Sequence, residues 1–176
     1  MEKMNNKDNF HVDMSGRIYE NRTIGIALVG TKTKIHYGCV LKGNLLKFIK
    51  KNLFKGNIYE DSAKLYAICI YLLVREVKNN IDTLIVCNDE DFKIVKKALS
   101  DLLEDYRFEI INITEFRKRL GRNVGSLADN YARIYRRRAL KPKRLLKGKQ
   151  LNIIPITYKI IKLPWEKLNG KISVSD

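Results

Sequence analysis

The chain has little that would let it fold by cross-linking or sit in a bilayer. Its three cysteines, Cys39, Cys69 and Cys87, are too few and too scattered for a disulfide framework or a zinc cluster. Each lies in an apolar run, which predicts buried thiols in a reducing cytoplasm. No stretch approaches the ~20 apolar residues that cross a bilayer, so no membrane partner is expected. The opening, Met1 to Asp8, is polar and lacks the apolar core of a signal peptide. There is no internal repeat and no low-complexity linker. Acidic residues are the most telling shortage: 19 Asp+Glu stand against 35 Lys+Arg, a net charge of +16. That excess favours a polyanion as partner.

What is present suffices for one domain with a terminal extension. Apolar residues make up 45% of the 176, enough for a packed core. Residues 9–15, 24–29 and 34–41 read as three strands joined by short turns, hence an antiparallel meander. Leu45 to Ile49 reads as one helical turn. Leu65, Ile68, Cys69, Leu72 and Leu73 recur at helical spacing and predict a long helix from Ile58 to Val77. Thr83 to Cys87 is a short β-branched run, the pattern of a buried strand. A helix over 91–103, a strand over 108–113, a basic connection over 114–124 and a helix over 126–140 follow. Pro142 ends the last helix, because the residue before a proline disfavours the α conformation. Residues 153–161 read as a β-like run that Pro155 confines to an edge or a covering segment. The single tryptophan, Trp165, is expected to staple the tail to the body.

The residue that asks for chemistry is Asp13. It sits inside an apolar strand, in Val12-Asp13-Met14-Ser15-Gly16-Arg17, and a carboxylate there costs several kcal/mol unless it is paired or bound to a metal. Other carboxylates stand at structurally comparable places. Asp89 follows the buried run Leu84 to Asn88, with Asp91 as its alternative at a helix start, where the helix dipole alone favours an acid. Asp129 lies in Leu127-Ala128-Asp129-Asn130-Tyr131-Ala132-Arg133. An ordinary ion pair with Arg133 at i+4 would also account for it. His11 shares a strand face with Asp13 and reads as a core histidine.

This order of elements, three antiparallel strands then helix, strand, helix, strand, helix, resembles the ribonuclease H-like fold. The resemblance is carried by Asp13 with its Ser-Gly-Arg sequel, by Asp89, and by the Ala-Asp-x-x-Ala-Arg run around Asp129. It implies an α/β domain over residues 9–140, with a five-stranded mixed sheet flanked by helices and a basic extension over 141–176. It also implies a site in which Asp13, Glu60, Asp89 and Asp129 hold two Mg²⁺ or Mn²⁺ ions and act in catalysis. The first-helix acid is the open position: Glu60 or Asp61 supplies it, or Lys64 stands in its place and the site binds without cutting. The implied activity is metal-dependent hydrolysis of phosphodiester bonds in RNA or an RNA/DNA hybrid. The alternative is an inactive nucleic-acid-binding domain on the same fold. Arg122, Arg133, Arg136, Arg137, Lys141, Lys143 and Arg144 cluster around the last helix, as a phosphate-tracking surface would require.

Overall fold

The computed structural model describes residues 7–141 and 150–170. Five strands form one open sheet in the order β3-β2-β1-β4-β5. β1 (Asp8–Ser15) pairs antiparallel with β2 (Ile24–Gly30), which pairs antiparallel with β3 (His36–Leu41). On its other side β1 pairs parallel with β4 (Ile81–Val86), and β4 pairs parallel with β5 (Glu109–Asn112). The chain is therefore α/β with three antiparallel strands followed by parallel ones, as the order of elements predicts.

β1 is central and both its faces are covered. Alternation sends Phe10, Val12 and Met14 into the larger core, under α1 (Gly43–Leu53), α2 (Ile58–Val74), α3 (Phe92–Leu102) and α6 (Tyr158–Leu168). His11 and Asp13 take the opposite face, under α4 (Ile113–Leu120) and α5 (Ala128–Leu140). α2 is buried almost all round, which explains its nearly continuous apolar sequence. Its start is set by Asn57, whose Oδ1 accepts from the Tyr59 N–H at 2.8 Å.

α5 lies unusually close to the sheet because two glycines let it. A Cβ on Gly25 would stand 2.2 Å from the Ala132 carbonyl oxygen, and one on Gly38 would stand 2.4 Å from the Tyr135 ring. The Tyr135 hydroxyl and His36 Nδ1 then share a hydrogen bond of 2.9 Å. Asp8, buried at the other end of β1, holds the β2–β3 turn. Its Oδ2 accepts from the Thr33 N–H and Oγ1–H, each at 2.9 Å, and from the Lys32 N–H at 3.0 Å.

Three segments differ from the sequence-based expectation. The single turn over 45–49 is an 11-residue helix, α1. Where the sequence reads as the end of a strand and a basic connection, 113–120 is helical: the Asn112 side chain accepts from the Glu115 N–H at 2.7 Å, and Gly121 ends the helix at φ 64°. Its basic character is partly absorbed by Arg119, which donates to both Glu109 carboxylate oxygens and to Glu115. The β-like run over 153–161 contributes only one bridge, Ile153 beside Gly38. Thr157 then caps α6, and Ile161, Trp165 and Leu168 recur at helical rather than strand spacing. Trp165 does join tail to body: its ring stacks on Phe54 at 5.3 Å.

Candidate functional site

Parallel strands β1 and β4 end side by side, and the chain places a carboxylate at each end. Asp13 is the sixth residue of β1, buried, with Oδ1 accepting from the Met14 N–H at 2.8 Å. Asp89 follows β4 and reaches the same place. Burial first, and the adjoining Asp13 carboxyl second, push the Asp89 pKa up to about 8, with Arg17 opposing. Two carboxyls this close cannot both ionise cheaply without a cation or a shared proton. Asp91 is excluded from the pair by its own task. It caps α3, with Oδ1 accepting from the Lys93 N–H at 2.9 Å and the Ile94 N–H at 3.4 Å.

Several neighbours were not anticipated from the sequence. Glu90 has a buried Oε1 without a hydrogen-bond partner, and burial raises its pKa to about 7 against the pull of Arg17 and Lys50. Asp89 Oδ2 is likewise buried and unpartnered. Arg17 donates from Nη1 to the Asp89 carbonyl at 3.3 Å, so the turn after β1 folds back across the site. Gly16 makes that turn at φ 111°, where a side chain is strained. Burial, then the Asp13 charge, pushes the Cys87 thiol up. Tyr66, fully buried on α2 with an unpartnered hydroxyl, is raised by burial and then by Asp89, Cys87, Asp13 and Glu90. The tandem acids Asp89-Glu90-Asp91 and the nearness of Arg17 to Asp13 were the available signals. Tyr66 offered none, since its position in α2 reads as core.

The remaining expected ligands do not join the pair. Glu60 lines the same cleft as Asp89, but it is solvated and its Oε1 lies 2.8 Å from Lys64 Nζ. Hydrogen bonding to Lys64 lowers its pKa. Lys64 itself turns towards the end of α6, its Nζ 3.4 Å from Asn169 Oδ1. Asp61 is structural: its Oδ2 accepts from the Lys55 and Gly56 N–H groups at 3.0 and 3.1 Å and holds the loop before α2. Asp129 sits in the first turn of α5 on the Asp13 side of the sheet, but its carboxylate is gripped by Arg133 through two contacts of 3.0 and 3.2 Å. Among the described residues no group of three or more His, Cys, Asp and Glu is arranged around a metal position.

The donors present fit one hard cation rather than two. Mg²⁺ is commonly held by one or two carboxylates, with water and substrate phosphate completing six oxygens. Asp13 and Asp89 would be the two carboxylates of such a site, and Asp89 Oδ2 is buried without a hydrogen-bond partner. His11 does not contribute. Burial drops its pKa to about 4, and its ring packs edge-on against Phe116 at 5.2 Å.

The basic surface is divided. Arg122, Arg137 and Lys141 are exposed, and Arg133 is exposed but paired with Asp129. Arg136 belongs to the packing, half-buried with its Nε out of water and its backbone against Gly25. Lys143 and Arg144 lie outside the described residues. A cleft of about 700 Å³ lies elsewhere, at the far end of the sheet beside Ile81 and Phe108. No helix among the described residues is long and apolar enough to cross a membrane. No family model, no curated protein and no solved structure matches the chain.

Proposed function

We propose that this protein is a metal-dependent nuclease of ribonuclease H-like type, hydrolysing phosphodiester bonds in RNA, with the RNA strand of a hybrid as the other substrate the resemblance implies. The observation that carries the reading is the Asp13–Asp89 pair: two neighbouring carboxyls at the ends of adjacent parallel strands, one with its pKa lifted to about 8. The order and directions of the five strands agree with the resemblance and support it.

In this reading Asp13 and Asp89 hold one Mg²⁺ or Mn²⁺. Such an ion supplies charge stabilisation at the phosphate under attack. Asp89 gives up its proton as the site loads, and Arg17 steadies the resulting negative charge through its place beside Asp89. Exposed Arg122, Arg137 and Lys141 supply phosphate contacts, so affinity falls steeply as salt rises. The test is cleavage of labelled single-stranded RNA, DNA and RNA/DNA hybrid with Mg²⁺ or Mn²⁺. Metal-dependent products that Asp13→Asn and Asp89→Asn abolish support the reading. No product from any substrate, or undiminished cleavage by Asp13→Asn, overturns it.

A second reading has its own observation. Glu60 and Asp129 are each tied to a basic residue four positions on, and this favours a domain that binds nucleic acid without turnover. It expects salt-sensitive binding and no metal-dependent product.

A further inference from the structure

Beside Asp89 and Glu90 opens a cleft of about 470 Å³ whose rim carries two tyrosines, Tyr19 and Tyr59. Both are exposed, to 37% and 63%. Neither is held there by loose chain. Tyr19 is in the short 3-10 turn of residues 18–20, anchored by fully buried Ile18, and Tyr59 is in the capped first turn of α2. Their rings meet at 5.9 Å and 67°, an edge-to-face pair. A base cannot slip between rings packed in this way. Tyr19 instead buttresses Tyr59 from one side and leaves the rest of the more exposed ring open to solvent. Arg17 lines the same cleft and donates to the Asp89 carbonyl.

We infer that Tyr59, propped by Tyr19, is a stacking platform for one unpaired base whose phosphate lies against Arg17, so that the ligand of this cleft is single-stranded nucleic acid. The inference rests on the nuclease reading for its reaction but not for its binding. Exposed aromatic rings fixed on rigid elements beside a cation are what unstacked bases use, and a paired duplex offers no free base face to them. The carboxylates below would repel a phosphate on their own; Arg17 gives it a place to lie.

The test is fluorescence anisotropy of labelled single-stranded 12-mers, RNA and DNA, and of the matching duplexes and hybrid, with the full chain in EDTA so that no turnover occurs. Tyr59→Leu is expected to weaken single-strand binding about 5- to 150-fold, the range that base–aromatic stacking spans, and to leave duplex binding within about two-fold. Tyr59→Phe keeps the ring and should keep the affinity. Tyr59 is exposed, so the melting temperature of both variants should match the parent and confirm that the fold is intact. A Tyr59→Leu loss below about two-fold on single strands, or an equal loss on duplexes, overturns the inference. Cleavage by Asp13→Asn is scored separately. If that variant still cuts while the Tyr59→Leu difference persists, the nuclease reading fails and the stacking platform stands.

Discussion

The close seat of α5 on the sheet makes Gly25→Ala a sharp test of the packing over the Asp13 face of the sheet. The added methyl would lie 2.2 Å from the Ala132 carbonyl oxygen, 2.7 Å from the Arg136 backbone nitrogen and 3.1 Å from Arg136 Cβ. Two of these three are backbone atoms of a helix, so no rotamer change removes the clash. Restoring an ordinary separation of roughly 3.5 Å means that α5 must withdraw by about 1.3 Å. Withdrawal strips contacts from Ala128, Ala132 and Tyr135, all fully buried against Ala27 and Val29. Overpacking of this kind costs about 1–3 kcal/mol, and the alanine recovers at most about 1 kcal/mol through lower unfolded-state entropy. The expected net loss is about 1–2 kcal/mol, read as a lower urea midpoint at unchanged slope. Gly125→Ala is the matched control, since nothing lies within 4 Å of its added methyl. It should stay within about 0.5 kcal/mol of the parent. If Gly25→Ala were as neutral as Gly125→Ala, the account of how α5 sits over Asp13 would be wrong.

Other outcomes follow from the same structure. Asp8→Ala frees the β2–β3 turn and should cost about 2–3 kcal/mol, since charged hydrogen bonds are lost, as read by urea unfolding at pH 7. Burial raises the Asp8 pKa, but the bonds from Thr33 and Lys32 outweigh it and the folded value is lowered. Its stabilisation is therefore present above the ordinary 3.8 and fades as pH falls through the folded value, so the gap between Asp8→Ala and the parent should shrink in acid. Tb³⁺ or Mn²⁺ binding, followed by luminescence or relaxation, should disappear in Asp13→Asn and Asp89→Asn and survive in Glu60→Gln. Below about pH 8 loading must displace the Asp89 proton, so affinity should rise up to about tenfold per pH unit and level off above it; a flat profile would count against Asp89 as a ligand. Trp165→Ala removes the ring stacked on Phe54 and should cost about 3–5 kcal/mol by the same unfolding assay.

Periodicity carries over directly from residues to elements. The apolar alternation of β1 and the nearly unbroken apolar face of α2 fix which residues face the cores, because burial acts locally and repeatedly along each element. Caps are less visible in advance. Asn112 and Thr157 each fall within a strand-like run until their side chains accept free N–H groups in the first turns of α4 and α6, and both helices were read from sequence as something else. The β-branched run around Pro155 pointed to an edge strand or a covering segment, while the spacing of Ile161, Trp165 and Leu168 prevailed once α2 and Phe54 offered a surface to cover.

The candidate site divides along the same line. Sequence alone determined that Asp13 is a carboxylate in an apolar strand, that Asp89 closes another such strand, and that the chain carries a large cationic excess. Only the tertiary structure decided which acids meet. Strand pairing set Asp13 beside Asp89 across 76 positions of sequence. Side-chain reach then let Lys64 claim Glu60 and Arg133 claim Asp129, while backbone N–H groups claimed Asp61 and Asp91. The physical reason is that a carboxylate takes the nearest donor it can reach. Which donor is nearest depends on how distant segments pack, and sequence spacing does not contain that information.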